Sequence, residues 1–183
     1  FASAWDKYIK FGGNKQFKAY GNIMSLTNGD NFVSNSSFQT NSSYVFCGLF
    51  YGITTIIDAS NLILPATTLV ISCYNGMFRG CSNLVNGPKL LPALNVPSDG
   101  YSSMFEGCTD LTSLSLKKFK TPKMTVMNKM FKDCSKLEKL EINFDTTKVY
   151  EMSEMFSGVT NLRELDLSTF DTDEVKDMSY MFS

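Results

Sequence analysis

The chain has 183 residues, enough for one sizeable domain or two small ones. Hydrophobic residues make up 43% and charged residues 19%, a composition that predicts a packed core. With 17 basic and 18 acidic residues, the net charge is −1, so the chain lacks the overall positive charge that attracts the phosphate backbone of nucleic acid. Histidine is absent, which excludes histidine triads and histidine-ligated zinc.

The N-terminal part differs in composition from the rest. Residues 1–26 predict two short strands around Gly12 and Gly13, and we interpret them as the tail of a preceding β-rich domain or as an N-terminal β cap. Residues 27–50 predict an irregular first rung, which a stack of repeats needs as a cover for its core. Repeats follow over 51–183, so the predicted repeat domain spans 27–183. The chain starts without methionine and stops within a repeat, so we expect a piece of a longer protein whose signal and anchor lie outside it.

A methionine–phenylalanine pair recurs along the chain. Four of the pairs are followed by a glycine or aspartate, then a cysteine or valine, and then a leucine. Self-similarity at one period is the signature of stacked repeats. The phenylalanines of the recurring units, the first of which has leucine for methionine, are Phe50, Phe78, Phe105, Phe131, Phe156 and Phe182.

Each unit has two halves with different periods. Leu162, Leu165 and Leu167 are interleaved with polar residues, which predicts a short strand with one buried face. A Phe-x-Thr motif follows, and its threonine or the preceding aspartate is a predicted helix N-cap. Next come apolar residues at i, i+3, i+6 and i+7, a spacing that predicts a two-turn helix, and a glycine suited to its C-cap. In one unit these residues are Val149, Met152, Met155, Phe156 and Gly158.

Three cysteines belong to the same repeating column. Cys81, Cys108 and Cys134 follow their phenylalanines by three residues, and Val159 takes the fourth place. Replacement by valine indicates a small buried apolar position, so we interpret the cysteines as packed, reduced thiols. A disulfide between neighbouring rungs is sterically conceivable, because stacked strands lie roughly 4.8 Å apart. The sequence leaves the redox state open.

The repeat resembles the BspA-type leucine-rich repeats of bacterial surface proteins. Residues 155–182 are close to a consensus copy of the variant found in mycoplasma, lactobacillus and Bacteroides surface proteins, and residues 64–69, Leu-Pro-Ala-Thr-Thr-Leu, resemble a sister variant from Bacteroides and its phages. The resemblance implies export and display on the cell surface. The predicted fold class is therefore an α/β, right-handed leucine-rich-repeat solenoid. It has parallel strands on one face, short helices on the other and an N-terminal β-rich cap.

The sequence predicts a binding surface and no catalytic centre. It contains no nucleophile elbow, phosphate-binding loop or Cys-x-x-Cys motif, so we expect no enzyme, no cofactor and no metal site. The polar residues that alternate with the strand leucines would face outward from neighbouring rungs. These candidate ligand-binding residues are Ser113, Ser115, Lys117, Lys139, Glu141, Asn143, Glu164, Asp166 and Ser168.

From the resemblance we expect a non-catalytic protein of the bacterial cell surface that mediates adhesion through this strand face. Its expected partner is a host extracellular protein or glycan. We expect neither nucleic-acid binding nor membrane insertion of this segment, since no apolar run approaches a membrane span. Two alternatives stay open: a structural spacer or stalk that displays another domain, and a phage-associated receptor-binding or structural protein.

Overall fold

A computed structural model describes residues 14–28, 43–89, 93, 96–117, 121 and 123–183. The regular elements are strand β1 (Phe17–Asn22), helix α1 (Ser25–Asn28), strand β2 (Ile56–Ile63), strand β3 (Ser113–Ser115) and strand β4 (Lys139–Glu141). Of the two strands predicted around Gly12 and Gly13, the second corresponds to β1, which pairs with β2. The first strand, and most of the predicted irregular rung at 27–50, lie outside the described residues.

The strands form two small parallel sheets, one of β1 with β2 and the other of β3 with β4. Single parallel bridges join the two sheets through one residue, because Asn86 pairs with Asp58 of β2 on one side and with Ser113 of β3 on the other. Strands and bridges therefore follow one another across successive passes of the chain. We call each pass a coil and name it after its recurrent phenylalanine.

The six recurrent phenylalanines form one continuous column. Neighbouring ring centroids lie 5.4–6.1 Å apart and the ring planes differ by only 3–9°. The first five rings are buried, and Met77, Met104, Met130 and Met155 beside them are buried too. Stacked rings of this kind contribute about 0.5–1.5 kcal/mol per pair beyond the area they bury. The predicted register of the repeats is therefore confirmed in three dimensions.

The backbone around each recurrent phenylalanine alternates between two kinds of hydrogen bond. Each phenylalanine N–H from Phe50 to Phe156 donates to the methionine carbonyl one coil further on, at 2.9–3.0 Å. The N–H groups two residues before and after do the same with other carbonyls of that coil. Most of the N–H groups between them donate to the carbonyl three residues earlier, as Met77 does to Tyr74 at 3.1 Å. We call this run of linked turns the turn edge.

The turn edge needs left-handed backbone at every fourth residue. The residue two after the column phenylalanine has a φ of 58–73°, and it is Gly52, Gly80, Gly107, Asp133 or Gly158. The residue two before it also has a positive φ, of 54–60°. Glycine adopts this conformation freely, whereas other residues are strained by roughly 1–2 kcal/mol.

The predicted α/β solenoid with helices on one face is wrong. Among the described residues the only helix is the four-residue α1, and the segments predicted as helices form the turn edge. A helix requires each N–H to donate to the carbonyl four residues earlier. Here alternate N–H groups bond to the next coil, and a positive φ recurs every four residues. The predicted buried set Val149, Met152, Met155 and Phe156 is nevertheless buried, because turns of four residues also bring positions three and four apart to one side.

The threonine of the Phe-x-Thr motif clamps two coils together and does not cap a helix. Thr146, fully buried, donates from Oγ1 to the carbonyl of Asp171 at 2.7 Å and accepts the N–H of Asp171 at the same distance. Thr121 forms the same pair of bonds with Asp145. One hydroxyl thus satisfies both backbone groups of a residue in the next coil.

All five cysteines are free and buried. Cys81, Cys108 and Cys134 donate from Sγ to the carbonyl of the column phenylalanine one coil back, at 3.0–3.1 Å. Burial raises the pKa of Cys81 and of Cys134 to about 12. A thiol with such a pKa is protonated at neutral pH, and therefore acts as a packed donor and a poor nucleophile.

Thr146→Val should destabilise the protein because it removes both bonds of the clamp at nearly constant volume. We expect the free energy of unfolding to fall by about 2–3 kcal/mol, since the N–H and carbonyl of Asp171 lose their partner. Thr172→Val is the matched control: Thr172 is exposed, and the change should stay within about 0.5 kcal/mol. Equal effects in urea unfolding would contradict the clamp.

Gly158→Ala should cost more than Gly107→Ala, although φ is nearly the same, at 73° and 72°. A Cβ at Gly158 would meet the Oδ1 atom of Asp133 first and would lie 3.2 Å from its Cα, whereas one at Gly107 would meet only the backbone of Gly80, at 3.5 Å. We expect Gly107→Ala to lower the free energy of unfolding by about 1–2 kcal/mol, the cost of left-handed backbone, and Gly158→Ala by more.

Asp133→Gly provides the internal control for this comparison. It removes the side chain nearest to the new methyl group, so the cost of Gly158→Ala, measured relative to Asp133→Gly alone, should fall to about that of Gly107→Ala. Equal costs of the two alanine variants in the otherwise unchanged protein would contradict the close approach of these coils.

Candidate functional site

The predicted binding residues lie on three neighbouring coils. The parallel register pairs Ser113 with Lys139 and Ser115 with Glu141, and Leu114 pairs with Leu140 between them. Arg163 then donates its backbone N–H to the carbonyl of Glu138, which places the segment 164–168 alongside β4. We call the nine residues predicted from the sequence the outer strand face.

The outer strand face is polar and points to solvent. Eight of its nine residues are exposed and Glu141 is intermediate. The residues between them turn inward: Leu114, Leu116, Leu140 and Ile142 are buried, and Leu165 and Leu167 are partly buried against the core. Strand alternation, with successive side chains on opposite sides, produces this arrangement. The structure thus brings the predicted residues together on one surface.

One carboxylate organises the positively charged part of the face. Lys117 Nζ and Lys139 Nζ each lie 3.3 Å from Oε1 of Glu141. Hydrogen bonds from Ser115, Lys139 and Lys117 lower the pKa of the Glu141 carboxyl to about 2. Two ammonium groups are therefore held near one point, and their side chains remain 63% and 71% exposed.

The neighbouring coil carries the negatively charged part. Glu164 and Asp166 are both exposed. Hydrogen bonds from the hydroxyl and the backbone N–H of Ser168 lower the pKa of Asp166, and the charge of Lys117 lowers it further. Arg163 is held away by Glu138, with Nη2 and Oε2 2.8 Å apart. The face therefore changes sign from positive to negative along the direction of stacking.

Charge also joins the coils outside this face. Six of the seven ion pairs among the described residues link neighbouring coils, and only the pair of Lys139 with Glu141 lies within one. Glu154, for example, pairs with Lys129 and Lys132 of the preceding coil. Exposed pairs contribute roughly 0.2–1 kcal/mol each. They support the register that the backbone sets.

Opposite net charges of residues 111–148 and 149–183 predict attraction between neighbouring coils, but sequence reasoning missed the central role of Glu141 and the individual residues that pair. Lys117 and Glu141 lie one coil apart on a diagonal, not in one column. Comparing charges between neighbouring columns of the aligned repeats, in addition to within each column, would have revealed this pair.

The outer strand face presents hydrogen-bonding and charged groups to solvent. Within the described part of the chain, no three or more Cys, Asp or Glu side chains are grouped so as to hold a metal ion. Its hydroxyls, ammonium groups and carboxylates are suited to hydrogen bonds and ion pairs with a partner. No helix in the described part of the chain has the length and apolar character to cross a bilayer.

Comparison with known proteins identifies a related sequence family for the C-terminal part. The family model described as "Mycoplasma protein of unknown function, DUF285" matches residues 99–183, which include the whole outer strand face. The match is compatible with a mycoplasma-type repeat protein and does not single out the BspA type. No curated protein and no solved structure matches the chain.

The depressed pKa of Glu141 predicts a specific acid response. Its pairing should stabilise the protein above about pH 4, the ordinary glutamate pKa. That contribution should disappear as the pH falls through about 2. In an NMR titration of the side-chain carboxyl we expect a midpoint near 2, moving upward in Lys117→Met/Lys139→Met. An ordinary midpoint in the unaltered protein would contradict the paired geometry.

Proposed function

We propose that the chain belongs to a non-catalytic protein of a bacterial cell surface and binds an extracellular host protein or glycan through the outer strand face. The observation that supports this most strongly is the register of β3 with β4. Because the coils are in register, polar side chains recur at a fixed spacing on one exposed surface. Several weak contacts along such a surface add to a useful affinity.

The composition of the face supports binding over catalysis. Hydroxyl, ammonium, amide and carboxylate groups are exposed on three coils, while the leucines and Ile142 beneath them hold the backbone in place. A preorganised surface loses little conformational entropy when a partner binds. The proposed activity requires no cofactor, and the proposed location is extracellular.

A spacer role is the second candidate. The column of phenylalanines and the backbone bonds between coils favour it, because they join each coil to the next without interruption. A stack built in this way would hold another domain at a defined distance. It would do so whatever side chains its outer strand face carried.

Binding tests with the purified chain distinguish the two candidates. We expect measurable binding to at least one member of a panel of extracellular matrix proteins or of a glycan array. Lys139→Glu and Glu164→Lys should each weaken that binding about fivefold, as expected for loss of roughly 1 kcal/mol at exposed charges.

Lys148→Glu and Glu174→Lys are the matched controls, since both residues are exposed and lie outside the face. They should leave binding unchanged. Binding that none of the four variants alters would place the binding site elsewhere. A complete lack of binding across the panel would favour the spacer.

A further inference from the structure

We infer that the partner of the outer strand face is a polypeptide segment that carries opposite charges at its two ends and lies along the direction of stacking. This inference rests on the proposed function and specifies its ligand class. It follows from the charges of the face, their order across the coils and the chemical groups that the face lacks.

The outer strand face is positively charged on its first two coils and negatively charged on its third. Lys117 and Lys139 share the single carboxylate of Glu141, so the first two coils keep one net positive charge on the face. Glu164 and Asp166 on the third coil supply two negative charges. An acidic group of a partner is therefore favoured over the lysines and a basic group over the third coil.

The spacing fits an extended peptide. Neighbouring coils lie roughly 4.8 Å apart where they pair as parallel strands. Side chains two residues apart on the same side of an extended chain are separated by about 6.6 Å. Acidic and basic residues close together in a peptide can therefore reach the two parts of the face at the same time.

The chemistry of the face disfavours a glycan. None of its nine side chains is aromatic, so the face offers no ring against which a sugar could stack. A sulfated or uronic-acid glycan would be attracted by the lysines but repelled by Glu164 and Asp166 as it crossed to the third coil. A peptide segment with both signs of charge needs no aromatic ring for stacking, and its basic end is attracted by Glu164 and Asp166.

Fluorescence anisotropy with labelled probes tests the inference on the whole 183-residue chain. The first probe is a short peptide with a block of glutamates followed by a block of lysines. The comparison probes are an all-glutamate peptide, an all-lysine peptide and heparin. We expect the mixed peptide to bind about tenfold more tightly than each of the others, with an affinity that falls as salt is added.

Charge reversal at each end of the outer strand face distinguishes recognition of its charge order from nonspecific electrostatic binding. Lys117→Glu/Lys139→Glu and Glu164→Lys/Asp166→Lys should each weaken the mixed peptide about tenfold, because the face then carries one predominant sign. All four substitutions together should restore binding, since the peptide can turn around on a face of reversed polarity. Thermal unfolding of each variant shows whether it is folded. If Lys117→Glu/Lys139→Glu does not fold, Lys139→Glu alone replaces it in the comparison. Lys148→Glu is the control outside the face and should bind the mixed peptide as tightly as the unaltered protein.

Three results would overturn the inference. Tightest binding of heparin, the all-glutamate peptide or the all-lysine peptide would indicate a ligand of one sign. Loss of binding in the fourfold variant would show that polarity is not what the face recognises. Failure of the mixed peptide to bind, while a matrix protein or glycan binds in a way that depends on Lys139 and Glu164, would remove the inference and leave the proposed function intact. If nothing binds to the face, both fail.

Discussion

The backbone hydrogen bonds between coils are the constraint on which the rest of the structure depends. Each column phenylalanine from Phe50 to Phe156 donates its N–H to the next coil, and its neighbours two residues away do the same. An N–H buried without a partner costs about 1–3 kcal/mol, so each coil must present its carbonyls in the correct register. The nearly constant repeat length follows from this requirement.

Because the coils stack in register, equivalent residues of successive repeats form columns, and each column makes its own kind of contact. Phenylalanine rings stack in the core, buried cysteines donate to carbonyls one coil back, and Thr121 and Thr146 clamp the coil ahead. The outer strand face arises from the same register but is free to vary, because its side chains point to solvent. Function by surface recognition is compatible with a scaffold whose interior is fixed by stacking, as the polar positions can change without disturbing it.

The sequence revealed the register because apolar residues at a fixed period can only be buried by stacking copies on one another. It also placed the nine residues of the face on one surface, since strand alternation has a period of two. The helices were wrong for a specific reason. Spacings of three and four residues occur both in a helix and in turns that repeat every four residues, and Met152, Met155 and Phe156 fit both.

Two further features were not accessible from one copy of the repeat. In a single copy of the repeat, Gly158 fits a helix C-cap. The structure instead has left-handed residues four apart along the turn edge, as at Gly48 with Gly52 and at Gly76 with Gly80. The partner of Thr146, and Lys117 among the partners of Glu141, lie one coil away, so these contacts exist only after stacking. Local patterns specify what is buried, whereas the hydrogen bonds between coils determine the backbone path.

Direct detection of hydrogen bonds between coils is the most decisive measurement. Scalar couplings across hydrogen bonds, observed by NMR between amide nitrogen and carbonyl carbon, report the donor and the acceptor of each bond. Stacking in register predicts couplings from Phe78 to Met104 and from Phe105 to Met130. Couplings from these amides to carbonyls four residues earlier would demonstrate helices instead, and both the turn edge and the face built upon it would be refuted.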